Sequence, residues 1–204
     1  MFAASALGQK LNSNDLNLPD PAAVEAGGPS LPYVFVADEA FPLKENLLRP
    51  YPGRQIPERQ RLFNYRLSRA RRIIENAFGI FCQKWRIFRS PIIGLPQNVI
   101  SYLKAALVLH NWLRKLEAPL NPNQRKYCPP TYEDRDGKAG RITKGKWRAD
   151  ATANPPSNLL PVQRLGSNNH TLSAADVRES FLRYFTTTGS LPWQYTYIRR
   201  GADQ

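Results

Sequence analysis

The pattern of hydrophobic and polar positions predicts one buried strand in the first quarter of the chain. Residues 31–37 form a β-branched and aromatic run without polar alternation, which is typical of a strand covered on both faces. Before it, residues 3–12 have the spacing of a short helix, and residues 13–30 contain turn formers without periodicity. After it, residues 41–57 contain four prolines and a glycine, which predicts an ordered loop or short turns.

A helical pattern begins at Glu58 and continues to about Phe88. Apolar residues recur there at spacings of three and four, which predicts a long helix with one apolar face, and Pro91 ends it. The predicted face consists of Leu67, Ala70, Ile74, Ala77, Phe78, Phe81, Trp85 and Phe88. The same spacing predicts a second helix over residues 97–116.

The remainder of the chain predicts a largely irregular extension. Residues 119–172 are poor in periodicity and rich in Pro, Gly, Asn and basic residues, which favours an extended or partly disordered segment around the core. A final helix is predicted near 173–186, where Ser173 precedes an acid at capping-box spacing. We therefore divide the chain into a domain over residues 1–118 and a basic extension over residues 119–204.

Composition narrows the class of protein. Of the 204 residues, 42% are hydrophobic, so the chain has enough apolar material for a core. The two cysteines, Cys82 and Cys128, have no Cys or His at metal-ligand spacing, which argues against a disulfide scaffold and fits a reducing compartment. No apolar run approaches the ~18 residues of a membrane span, so we expect no membrane partner.

The positive charge is concentrated in the middle of the chain. The formal net charge is +13. Residues 49–116 carry 14 basic residues against Glu58 and Glu75, a net of +12, whereas residues 1–48 carry −4 and residues 117–204 carry +5. A segment of one sign favours a polyanionic partner, most simply nucleic acid. The alternative is a solubilising surface, although mixed signs serve that purpose better.

Two acids stand out by their positions. Asp38 follows the predicted strand, and Glu75 lies at the margin of the apolar face of a strongly basic helix. Carboxylates brought together from different elements can hold Mg²⁺ or Mn²⁺, because these hard ions prefer oxygen ligands. The alternative for Asp38 is a turn or helix cap, and Glu75 would alternatively pair with Arg71 or Arg72, a pair worth ~0.2–0.5 kcal/mol. Spacing alone does not decide between these roles.

Longer motifs around these two acids resemble a known family. The string VADEAFPL at 36–43, followed by LRPYP at 48–52, resembles the second-aspartate motif of Harbinger-type DDE transposases. The string FNYRLSRARRIIENAFG at 63–79 resembles the motif that carries the glutamate of that family. Downstream, WRIF at 85–88 and LHNWL at 109–113 are similar to the same family.

This resemblance covers residues 1–117 and implies an α/β, ribonuclease-H-like DDE nuclease fold, with a mixed sheet flanked by helices. It implies two divalent ions, Mg²⁺ or Mn²⁺, held by two aspartates and one glutamate. Asp38 matches the second aspartate and Glu75 the glutamate, so both are expected as catalytic residues and metal ligands. One ion activates a water or a 3′-hydroxyl and the other stabilises the leaving oxygen. The implied substrate is DNA and the implied location is the nucleus.

The opening strand that carries the first aspartate of this family has no counterpart in the sequence. Asp15 and Asp20 are acids in the corresponding region, but neither follows an apolar strand. We therefore expect an incomplete fold that lacks its first strands, with two of the three metal ligands. Either the chain is truncated or another polypeptide supplies the missing part.

Four arginines off the apolar face of the long helix are candidates for DNA contact. Arg66, Arg69, Arg72 and Arg86 would contact phosphates and position DNA without reading its sequence; alternatively they pair with acids. His110 is expected to be a packing histidine. No helix-turn-helix or zinc-finger pattern is present, so recognition of a specific sequence is expected from a separate DNA-binding protein. An oligomer is compatible with the sequence.

Three functions fit these observations. The first is a metal-dependent nuclease of the DDE transposase type, which hydrolyses or transfers DNA phosphodiesters. The second is a domesticated, non-catalytic module that binds DNA or protein, in which Asp38 and Glu75 have no catalytic role. The third is a decayed transposon fragment without a stable fold.

Overall fold

The computed structural model describes residues 2–153 and 169–200. Helices and short strands both contribute, as expected for part of an α/β domain. The chain divides into two compact units: unit 1 comprises Met1–Arg71 and Val162–Gln204, and unit 2 comprises Arg72–Pro161. The domain boundary near residue 118 and the ribonuclease-H-like arrangement stay predictions.

Unit 1 combines the start of the chain with its last two described helices. Strands β1 (Ala22–Ala23) and β2 (Ser30–Leu31) pair antiparallel, and strands β3 (Phe35–Val36) and β4 (Leu47–Leu48) pair parallel. The elements are α1 (Ala6–Asn12), β1 (Ala22–Ala23), β2 (Ser30–Leu31), β3 (Phe35–Val36), β4 (Leu47–Leu48), the first part of α2 (Glu58–Lys84), α5 (Leu172–Thr186) and α6 (Gln194–Arg200).

The strand predicted over residues 31–37 is wrong in its length and its coverage. It consists of two separate two-residue strands, β2 and β3, each paired with a different partner. Pro32 lies between them and has no backbone N–H to donate to a ladder, which interrupts the pairing. Tyr33 and Phe35 are exposed, so the run is not covered on both faces.

The core of unit 1 joins the segment after β3 to helices α2 and α5. Its buried members are Leu43, Leu48, Tyr51, Phe63, Leu67, Ala174 and Leu182. The side chain of Asn64 bonds both the N–H and the C=O of Tyr51, at 2.7 and 2.9 Å, and fixes this loop to α2. Helix α5 is capped by Thr171, whose hydroxyl accepts the Ala174 N–H, and not by Ser173 as predicted.

Unit 2 contains the rest of α2 and the described part of the extension. Its buried core consists of Ile80, Cys128, Tyr132 and Trp147. Strands β5 (Arg135–Asp136) and β6 (Ile142–Thr143) form an antiparallel hairpin. The elements are a 3₁₀ helix at Arg86–Arg89, α3 (Pro96–Glu117), a 3₁₀ helix at Pro122–Gln124, β5 (Arg135–Asp136), a 3₁₀ turn at Lys138–Gly140, β6 (Ile142–Thr143) and α4 (Lys146–Ala153).

The prediction of an extended segment over residues 119–172 is therefore wrong for its described part up to residue 153. Short-range periodicity misses this part because its order depends on contacts with distant residues. The carboxylate of Glu117, for example, accepts three successive backbone N–H groups, those of residues 126–128, at 2.6–3.0 Å. Residues 154–168 lie outside the described residues.

The long helix α2 is shorter than predicted and its apolar face is only partly buried. The helix ends at Lys84, because Trp85 leaves helical geometry with φ −106° and ψ 79°. Leu67 and Phe81 are buried as predicted, whereas Ile74 and Phe78 are exposed.

Helix α3 confirms the predicted element over residues 97–116, with Pro96 in its first turn. Most of its large apolar side chains are nevertheless exposed, namely those of Ile100, Tyr102, Leu103, Leu107, Val108, Leu109, Trp112 and Leu116. No described helix has the length and hydropathy needed to span a membrane.

Candidate active site

Asp38 lies just after β3 and is held by two neighbours in unit 1. Its Oδ1 accepts the N–H of Ala40 at 2.9 Å, which closes a turn. Its Oδ2 lies 3.7 Å from Nη2 of Arg71. The Ala37 N–H donates to the Leu48 carbonyl at 2.8 Å, so the strand pairing fixes the backbone that carries the acid. The side chain is 46% exposed, so the carboxylate can still be reached from solvent.

Glu75 lies on the part of α2 that belongs to unit 2 and is exposed to solvent. Its charge acts on Arg148: the pKa of that guanidinium is raised, chiefly by its hydrogen bonds to Asp134 and further by the charges of Asp134 and Glu75. Glu75 thus lies within electrostatic reach of the cation that anchors the β5–β6 hairpin.

The donor atoms of Asp38 and Glu75 are chemically suited to a hard divalent ion, because both offer carboxylate oxygens. Within residues 2–153 and 169–200, no three His, Cys, Asp or Glu side chains form a group that could hold a metal ion. Asp15 and Asp20 lie exposed between α1 and β1. Both cysteines are free, and burial raises the pKa of each thiol, so neither is an activated nucleophile.

Two of the four candidate arginines contact the last helices of unit 1. Arg66 donates from Nη1 to Oε1 of Gln194 at 3.1 Å, and its guanidinium lies 4.8 Å from the ring centroid of Phe185. Burial lowers the pKa of Arg66. Arg69 donates to the hydroxyl of Tyr65 at 3.2 Å and lies 4.8 Å above the ring of Trp193. These contacts place Arg66 and Arg69 among the groups that hold α5 and α6 on α2.

The other two candidates lie in unit 2. Arg72 pairs with Asp136 of strand β5, with Nη2 and Oδ2 at 2.7 Å. Arg86 lies on the 3₁₀ helix after α2 and is exposed. DNA contact by all four arginines stays a prediction.

His110 belongs to a hydrogen-bonded chain of aromatic groups. The indole N–H of Trp85 donates to the hydroxyl of Tyr127 at 2.9 Å, and that oxygen lies 2.7 Å from Nδ1 of His110. Because the tyrosine oxygen already accepts one bond, its own O–H is placed to donate to a neutral imidazole. Burial lowers the pKa of His110, which agrees with that protonation state. The histidine is half-buried against Phe81, as a packing residue would be.

Sequence reasoning missed the anchor of the β5–β6 hairpin on α2. Asn76, next to Glu75, accepts two N–H groups through its Oδ1: the indole N–H of Trp147 at 2.6 Å and the backbone N–H of Asp134 at 3.1 Å. Asp134, with a side chain only 1% exposed, accepts two further bonds from Arg148 at 2.7 and 2.9 Å. No periodic pattern in the sequence links Asp134, Trp147 and Arg148 to Asn76, so the sequence alone does not predict this anchor.

Comparison with protein families matches residues 1–111 to the model described as DDE superfamily endonuclease. The chain belongs to this family. The match spans more than half of the chain and includes Asp38, Glu75 and all four candidate arginines. No curated protein and no solved structure matches the chain.

Membership of the DDE superfamily endonucleases indicates that the chain derives from a transposase-type nuclease. Endonucleases of this kind act on DNA and generally use divalent metals. The β5–β6 hairpin, α4, α5 and α6 lie outside the matched residues, so the family says nothing about them.

Proposed function

We propose that the chain is a Harbinger-type DDE nuclease that hydrolyses or transfers DNA phosphodiesters with Mg²⁺ or Mn²⁺, and that it acts in the nucleus. The family match over residues 1–111 carries this proposal, since the two motifs that contain Asp38 and Glu75 fall inside it. We further propose that this region is part of a ribonuclease-H-like domain, that a separate DNA-binding protein reads the target sequence, and that the chain can oligomerise.

The carboxylates of Asp38 and Glu75 would hold the metal. When bound, the metal would polarise the scissile phosphate and favour deprotonation of the attacking hydroxyl. The protein groups set the conditions for that chemistry. The turn bond to Ala40 orients Asp38, and Arg71 supplies a positive charge beside it.

Nicking of supercoiled plasmid DNA in the presence of Mn²⁺ tests the catalytic role. Asp38→Asn and Glu75→Gln remove one negative charge each with little change of shape, and each should reduce the rate by on the order of 100-fold or more. Asp176→Asn is the matched control, because Asp176 is an exposed acid on α5 outside the family match. An equal effect of all three substitutions would argue against the proposed roles.

Binding of Mn²⁺, followed by the loss of the free-ion electron paramagnetic resonance signal, tests the site without requiring turnover. Asp38→Asn and Glu75→Gln should each weaken binding at least about tenfold, since each removes a charged ligand. Unchanged binding in both variants would show that the metal, if any, is held elsewhere.

The second candidate is a non-catalytic module that binds DNA or protein. One observation favours it: both carboxylate oxygens of Asp38 already have neighbours in Ala40 and Arg71. On this alternative, the wild-type chain does not nick DNA, and Asp38→Ala and Glu75→Ala leave DNA affinity unchanged. A cooperative thermal transition of the purified chain would argue against a decayed fragment.

A further inference from the structure

We propose that the β5–β6 hairpin and the segment that follows it, residues 135–146, contact the phosphate backbone of duplex DNA. We call this segment the basic hairpin. It lies outside the residues that match the family model. The inference rests on DNA being the partner, as proposed above, but not on catalysis.

The first argument is the balance of charge on the basic hairpin. Five of its side chains are exposed cations: Arg135, Lys138, Arg141, Lys144 and Lys146. The two acids nearest in sequence are both paired elsewhere, Asp134 with Arg148 and Asp136 with Arg72. No ion pair to any of the five exists within the part of the chain that the structure describes. Residues 154–168 contain no Asp or Glu that would neutralise them.

The second argument is the geometry of the hairpin. Arg135 faces Thr143 across the ladder, and the Gly137 N–H donates to the Arg141 carbonyl at 2.7 Å. Side chains alternate between faces along a strand, so Arg135 and Arg141 lie on one face. The other face carries Asp136, which pairs with Arg72 of α2, and the half-buried Ile142. The two arginines therefore point away from the body of unit 2.

The turn adds a third cation to the same end of the hairpin. Ala139 and Gly140 have φ values of 53° and 72°, which reverse the chain within a tight turn. Lys138 lies at this tip and is exposed. Lysine and arginine at the tip and outer face suit phosphate contacts, which position DNA without selecting a sequence.

The third argument is rigidity. Asp134 and Arg148, on either side of the hairpin, are joined by hydrogen bonds of 2.7 and 2.9 Å, and Asp134 also accepts the Gly145 N–H at 2.8 Å. Asn76 fixes the same point to α2. Because the base of the hairpin is already ordered, DNA binding would cost little additional backbone entropy. A mobile basic tail would lack this advantage.

The experiment compares two triple variants of the full chain by fluorescence anisotropy of labelled duplex DNA in EDTA. The hairpin triple is Lys138→Ala, Arg141→Ala and Lys144→Ala. The control triple is Lys104→Ala, Lys115→Ala and Lys126→Ala, three exposed cations elsewhere in unit 2. Both lower the net charge equally, so any difference between them reports position and not total charge.

The slope of log Kobs against log salt is negative, and each lost phosphate contact should lower its magnitude by about 0.9. The hairpin triple should therefore lower the magnitude by about 2.7. At about 100 mM salt its Kd should rise by at least about tenfold, equally on two duplexes of unrelated sequence. The control triple should raise the Kd by less than about threefold. A charge-preserving double variant, Lys138→Arg and Lys144→Arg, should retain wild-type affinity.

The outcomes separate the two proposals. If the wild-type chain does not bind DNA at all, the DNA partner of the proposed function fails. If the wild-type chain binds but the two triples are equivalent, the assignment of the basic hairpin is overturned. The same holds if the hairpin triple weakens heparin binding but not DNA binding. If the thermal transition of the hairpin triple shifts from that of the wild type, the single variant Lys138→Glu at the exposed tip replaces it. This variant should lower the magnitude of the salt-dependence slope by about one.

Discussion

The side-chain amide of Asn76 is the point at which α2 holds the β5–β6 hairpin and α4, so Asn76→Ala should destabilise unit 2. Its Oδ1 accepts from the indole N–H of Trp147 at 2.6 Å and from the backbone N–H of Asp134 at 3.1 Å. Trp147 is only 9% exposed, so an unsatisfied indole N–H should cost ~1–3 kcal/mol. The half-buried backbone N–H should add ~0.5–1 kcal/mol. We expect a total loss of about 1.5–4 kcal/mol in the free energy of unfolding.

Urea unfolding followed by tryptophan fluorescence measures this loss. Asn111→Ala on the exposed side of α3 is the control, and it reports the gain in helix propensity, roughly 0.5 kcal/mol. Asn76→Asp keeps an oxygen that can accept both bonds, so it should cost less than about 1 kcal/mol. The reasoning is refuted if Asn76→Ala lies within about 0.5 kcal/mol of the control. It is equally refuted if the Asp and Ala variants at position 76 are equally destabilised.

Three further predictions concern packing, a buried hydroxyl and pH. Gly79→Ala would place a Cβ 2.2 Å from the ring of Trp147, so we expect ~1–3 kcal/mol of destabilisation by urea unfolding. Tyr51→Phe removes a 2.6 Å hydrogen bond to the carboxylate of Glu179 and should cost ~1.5–3 kcal/mol by the same measurement. Burial lowers the pKa of His110 below 6.5, so the folded state favours the neutral imidazole. The stability that the neutral imidazole contributes is complete above pH 6.5 and is lost as the pH falls through the pKa of the folded state. NMR titration of the imidazole measures that pKa directly.

Each of these predictions has a matched control. Gly94→Ala should be nearly neutral, because the nearest atom to its added Cβ is 3.9 Å away. Tyr33→Phe alters an exposed tyrosine and should change stability by less than about 0.5 kcal/mol. His110→Phe should flatten the pH dependence of the urea midpoint below pH 6.5. A wild-type pH slope in that variant would assign the effect to another group.

The helices of the chain could be predicted because their apolar spacing is a local property. Both α2 and α3 begin within two residues of the predicted starts at Glu58 and residue 97. Their ends and their burial could not be predicted equally well. Phe78 has the correct spacing for the apolar face, yet it is exposed, because burial depends on which other element covers the helix.

Elements that depend on contacts between residues far apart in the sequence could not be predicted from local patterns. The hairpin and α4 depend on the contact between Asn76 and Trp147, which are 71 residues apart. The strand predicted over residues 31–37 had the correct composition, but Pro32 and the separate partners of β2 and β3 divide it. Composition predicts that a segment can be a strand, whereas pairing decides how much of it is one.

The candidate site was predictable to the level of the elements that carry it. Asp38 does follow a strand and Glu75 does lie in the basic helix, because both statements rest on local patterns. Their neighbours were not equally predictable. Its helical spacing makes Arg71 a candidate partner of Glu75, whereas no sequence pattern predicts that its Nη2 lies 3.7 Å from Asp38, a residue brought to it by the fold.

The contacts in the structure determine which of the positive charges are available to bind a polyanion. The sequence assigns most of the positive charge to residues 49–116 and only +5 to the extension. In the structure, Arg66 bonds Gln194 and Arg72 pairs with Asp136. The cations of the basic hairpin have no such partner among the described residues. Exposed and unpaired charge, not total charge, attracts a polyanion at close range. Because Arg66 bonds Gln194 of α6, replacing Arg66 could weaken DNA binding either by removing a phosphate contact or by loosening α6, and a stability measurement is needed to tell the two apart.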